Sequence, residues 1–147
     1  MSAANGASRD SRGWLRVVLW GLAYAVIGLV TAALSRDAGS SQMKQLWRLA
    51  AWLLSAIAFA AQIWVERARL GGSATRIALR AALAVALGGF VLAVSATVHS
   101  LSAGAGRLGS HLIALVAWPL LLFVPAFLVA WAVSAALAKA AARPPAP

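Results

Sequence analysis

The chain has 147 residues, of which 63% are hydrophobic and only 11% charged, against about 25% charged in an ordinary soluble domain. That surplus of apolar surface excludes a water-soluble globule and a disordered chain, and it predicts an integral membrane protein. The formal charge of +10 does not point to a nucleic-acid partner, because the basic residues flank long apolar runs, where they orient helices and meet anionic headgroups.

In chain order, residues 1–13 are small and polar and predict a disordered cytoplasmic tail. Four apolar runs follow, at 14–34, 47–65, 77–98 and 112–138, separated by polar or Gly-containing segments at 35–46, 66–75 and 99–110. Each approaches or exceeds the roughly 20 residues that a helix needs to cross a bilayer core. None alternates apolar and polar residues as a barrel strand would. Residues 139–147 form a Pro-rich polar tail, also expected to be disordered. The apolar core of the first run is 18 residues long, beyond the roughly 7–15 of a signal peptide, so it reads as an uncleaved helix. Pro119 and Pro125 lie inside the fourth run and predict a kink there. The predicted domain is therefore an all-α bundle of four transmembrane helices spanning 14–138.

Orientation follows from the basic residues. Nine of the Arg and Lys lie on the side of the termini and the middle connection, against four on the other side (Arg36, Lys44, Arg48 and Arg107). Both termini are thus expected in the cytoplasm of a multi-pass inner-membrane protein. A preponderance of Arg over Lys in an Ala-rich chain fits a bacterial source. Trp14, Trp20, Trp64 and Trp131 fall toward the inner face and Trp47, Trp52 and Trp118 toward the outer, as an interfacial aromatic belt requires.

A weak internal repeat sets Arg12-x-x-Leu15-Arg16 on Arg76-x-x-Leu79-Arg80, and with it Leu19 on Leu83 and Val30 on Val94. Two parallel hairpins related by an axis along the membrane normal would carry such a pattern. The competing account is composition alone, since Ala/Leu/Val-rich helices align readily with one another.

Candidate contacts and sites are few. Gly21, Gly28, Gly88 and Gly89 are the expected close crossings, because glycine weakens a helix unless tight packing offsets it. The small-residue spacings around them fit packing within one chain better than a homo-oligomer. Gln62 and Glu66 share a helix face at the end of the second run. They could bind a cation or relay a proton, but Arg67 and Arg69 beside Glu66 favour a solvated ion pair. Arg16 and Arg80, at corresponding positions of the first and third runs, are candidates for an anionic-lipid pocket, against simple snorkelling to the headgroups. His99 and His111 flank the last loop and would be the only candidates for a haem or metal site, a thin one without a carboxylate or thiol. Tyr24 and Ser55 are expected to turn a hydroxyl toward a neighbouring helix.

With no cysteine and no paired acids, no nucleophile elbow, P-loop or zinc-protease motif is present. No catalytic activity and no cofactor are expected. The partners expected are the bilayer and its anionic headgroups, together with further copies of the chain or a larger membrane complex. The leading functional reading is a structural or accessory subunit. An oligomeric channel or transporter is the alternative, and a redox subunit using His99 and His111 is a weaker one.

Overall fold

The computed structural model describes residues 2–70, 73–102 and 108–142, with side chains described over 13–69, 73–102 and 113–142. It contains four helices, α1 (Ser2–Asp37), α2 (Ser41–Leu70), α3 (Ala74–Ser102) and α4 (Leu108–Ala141). The parts of these helices long and apolar enough to cross a membrane run Gly13–Asp37, Ser41–Arg69, Ala74–Ser102 and Ile113–Ala141. A helix satisfies its backbone groups within its own segment, which is why apolar sequence of this length takes this form in lipid. The chain is a small multi-pass membrane protein.

The helices reach further than the hydrophobic runs. Only Ala38, Gly39 and Ser40 separate α1 from α2, where a twelve-residue loop over 35–46 was the sequence expectation. Ser40 caps α2, accepting at Oγ from the Met43 backbone N–H (3.2 Å) and at its carbonyl from the Lys44 N–H (3.1 Å). Likewise, Glu66 to Leu70 continue α2 instead of forming a turn. Two further boundaries differ. α1 begins at Ser2, so the expected disordered tail over 1–13 is largely helical, and α4 reaches Ala141, into the expected C-terminal tail. The reason is the same in each case: no proline interrupts these stretches, and adding a residue to an existing helix is far easier than nucleating one. α4 passes through Pro119 and Pro125 as one helical element, although each lacks the N–H that would bond the carbonyl four residues earlier.

α1 and α3 run parallel and in contact. Going up the pair, a Cβ on Gly21 would meet Leu87, one on Gly88 would meet Tyr24, and one on Gly28 would meet Leu92. Tyr24 with Gly88, and Gly28 with Leu92, are separated along the chain by the same interval that sets Leu19 on Leu83 in the sequence repeat. At two of these contacts a glycine stands opposite a large residue, once on each helix, which lets the two backbones come close.

α3 is the central element. It packs most extensively on α4, then on α1, while α1 and α4 make no contact among the described residues. The core lies toward the end that carries both termini and the α2–α3 connection, hereafter the terminal end. There Ile63, Ile77, Ala78, Ala81 and Ala130 pack with Phe59 and Phe127. A second cluster, Val17, Tyr24 and Ala84, continues it with Trp20, Ala58 and Leu83. The alanines let backbones approach, and close van der Waals contact rather than escape from water holds helices together in lipid.

A buried polar cluster and an open cavity

Four side chains from three helices meet at the terminal end. The Tyr24 hydroxyl of α1 donates to Gln62 Oε1 of α2 at 2.9 Å, and Gln62 Nε2 donates to the Arg80 carbonyl of α3 at 3.5 Å. The Arg80 guanidinium reaches back to Glu66 Oε2 at 3.4 Å. Gln62 and Glu66 stand one turn apart on α2 and are 0% and 1% exposed, so the polar face of that turn is sealed inside the bundle. Such groups are costly in an apolar interior unless partnered, and the chain of donors above supplies partners for most of them. Two atoms are left over. Glu66 Oε1 and Ser134 Oγ are buried without a hydrogen-bond partner among the described residues.

This arrangement differs from the solvated pair with Arg67 or Arg69. Arg67, the next residue along the helix, does not share the face of Glu66 and turns to α4, where Nη1 donates to the Ser134 carbonyl at 3.0 Å; Arg69, three residues on, stays exposed. The partner of Glu66 comes from another helix, fourteen residues on. Arg80 is also kept from snorkelling freely, because its guanidinium lies against Gly13 of α1, where even a Cβ would collide with it. A small pocket of about 210 Å3, lined by Trp14, Arg76 and Arg80 among others, opens over this group. Arg16 is half-buried nearby on α1 but makes no bond to the cluster. Of the four residues singled out as a polar site, the structure brings together Gln62, Glu66 and Arg80 and leaves Arg16 aside. Tyr24 is the member that sequence reasoning left without a partner; a lone tyrosine at mid-helix and a glutamine late in the next helix were the available signal.

The glycines fall in unequal places. At Gly88 a Cβ would lie 3.0 Å from the Gly21 carbonyl oxygen as well as 2.6 Å from Tyr24 Cβ, so backbone meets backbone. Gly21, Gly28 and Gly89 face the flexible side chains of Leu87, Leu92 and Leu122.

The opposite end, which carries the α1–α2 and α3–α4 connections, is open. A cavity of about 780 Å3 separates α1, α2 and α3 there, with Gly28, Leu29 and Leu92 in its depth and Arg36, Arg48 and His99 around it. Thr31 lines it too, but its hydroxyl is engaged by its own helix, donating to the Ile27 carbonyl at 2.7 Å. His99 is exposed near the end of α3; the side chain of His111 lies outside the described residues, so nothing described joins the two. Among the described residues no three His, Cys, Asp or Glu group together as metal ligands would. Ser55 is half-buried on α2.

No family model, curated protein or solved structure matches this chain.

Proposed function

We propose that this chain is a non-catalytic membrane-embedded interaction protein, an accessory subunit of a larger assembly in a bacterial inner membrane. The observation that carries this reading is the unclosed bundle. α4 has the highest mean hydropathy of the four spans, yet only 6% of its window is buried, against 39% for α3, and it rests almost wholly on α3. A self-sufficient four-helix bundle closes by giving each helix two packed neighbours; here the α1 and α4 edges remain available to another protein. The polar cluster supports the same reading, since Tyr24, Gln62 and Arg80 donate to groups on neighbouring helices and so brace α1, α2 and α3 together. Extraction in a lipid-preserving polymer, followed by mass spectrometry of the intact particle, tests this. A defined protein partner or a discrete assembly is expected; a particle holding one copy and lipid alone would sink the reading.

One observation favours a second reading, a small channel or carrier: the closure at Gln62, Glu66 and Arg80 lies at the end opposite the open cavity. Solute flux across vesicles containing the purified protein, abolished by substitutions at Glu66, would favour it over the first. In either case both termini belong in the cytoplasm on the distribution of basic residues. Topology reporters fused at Gly39 are expected outside and those after Pro147 inside.

A further inference from the structure

Three cationic or titratable side chains that stand far apart in the sequence surround one cavity: Arg36 ends α1, Arg48 lies in the second turn of α2, and His99 lies in the last turn of α3. No Asp or Glu lines that space among the described residues. The Arg36 Nε donates to the Ala32 carbonyl at 3.5 Å, while its two terminal guanidinium nitrogens and the Arg48 side chain make no hydrogen bond among the described residues. Below these heads the lining is mostly apolar, at Leu29, Ala32, Ala51 and Ala96 with Ser95 beside them, and the contact of Gly28 with Leu92 forms its floor. The volume, about 780 Å3, is within the roughly 300–1,000 Å3 of sites that enclose a small molecule.

We propose that this cavity binds one anionic phospholipid, its phosphate between Arg36 and Arg48 and an acyl chain among α1, α2 and α3 along Leu29, Ala51 and Ala96, above the contact of Gly28 with Leu92. Two features select a lipid over a free anion. The cations sit near the ends of spanning helices beside Trp47, at the level where headgroups lie, and the space beneath them is mostly apolar and within the membrane span. Paired arginines suit a phosphate because the planar guanidinium offers parallel donors to its oxygens. Basic pockets between transmembrane helices recognise anionic headgroups by this chemistry. The proposal concerns the open end of the bundle and does not depend on the chain having a protein partner.

The test is native mass spectrometry of the purified full chain, incubated in detergent with phosphatidylglycerol or with phosphatidylcholine of the same acyl chains. Preferential retention of one phosphatidylglycerol is expected, lowered about tenfold or more in the double variant Arg36→Gln/Arg48→Gln. Equal retention of the two lipids, or unchanged retention in the double variant, would overturn the proposal. Displacement of the bound lipid by inorganic phosphate alone would also overturn it, assigning the site to a free anion. Should the double variant not fold, Ala96→Trp keeps both arginines and fills the apolar depth. Reduced retention there supports the lipid, and retention as in the unsubstituted protein refutes it.

Discussion

The two ends of this bundle solve the same packing problem in opposite ways. At the terminal end, alanines bring α2, α3 and α4 close together and a ladder from Tyr24 through Gln62 and Arg80 to Glu66 ties α1, α2 and α3 across the core. At the other end Arg36, Arg48 and His99 stand around a cavity lined by the same three helices. Hydrogen bonds and ion pairs are directional and must be matched, so the first end has one arrangement. At the second, the lining leaves a cavity of about 780 Å3 between the helices.

The comparison is sharpest where a brace is removed. Arg80→Ala leaves Glu66 as an uncompensated carboxylate in the interior. Breaking a buried pair costs about 3–5 kcal/mol, and the lower part of that range is expected because the Arg80 side chain is a quarter exposed. Thermal unfolding in detergent reads this loss. Adding Glu66→Ala to the same background should recover part of it, and strict additivity of the two would mean the pair is not coupled. Next in size is Gly88→Leu, which drives a side chain into the Gly21 backbone. A cost near the top of the roughly 1–3 kcal/mol range for overpacking is expected, with Gly89→Leu milder because Leu122 can turn aside. Equal melting of these two variants would show that the backbones of α1 and α3 do not meet at Gly88.

Smaller effects follow from single hydrogen bonds. Tyr24→Phe removes the donor to Gln62 Oε1 and should cost about 1–2 kcal/mol, as for a buried acceptor left unsatisfied. At the open end, Arg36→Ala and Arg48→Ala should each change stability by less than about 0.5 kcal/mol in lipid-free detergent. A large loss there would erase the contrast between the ends. His99→Ala should likewise change stability by at most about 1 kcal/mol, with no change in absorbance or metal content.

Much of this was legible in the residues. The four apolar runs, their number and their spanning lengths follow from the cost of exposing backbone and apolar surface to the wrong solvent, and that cost is local to each run. Gly88 could be suspected as a close crossing because an unexplained glycine in a helix asks for a reason. Its rank above Gly89 could not, since it depends on whether the facing atom is the Gly21 backbone or the end of Leu122. Gln62 and Glu66 announced a shared face by their spacing. Their burial depended on which helix turned toward that face.

By itself, then, the sequence determined that this is a membrane protein of four helices, because hydropathy and helical repeat act over a few residues and require no knowledge of neighbours. Only the tertiary structure decided that Glu66 takes Arg80 instead of Arg67, that Tyr24 has a partner, and that Arg36, Arg48 and His99 surround one cavity. Those are facts about distances between helices far apart in the chain. In lipid, where every apolar helix face is equally at ease, hydrophobic pattern does not say which faces meet.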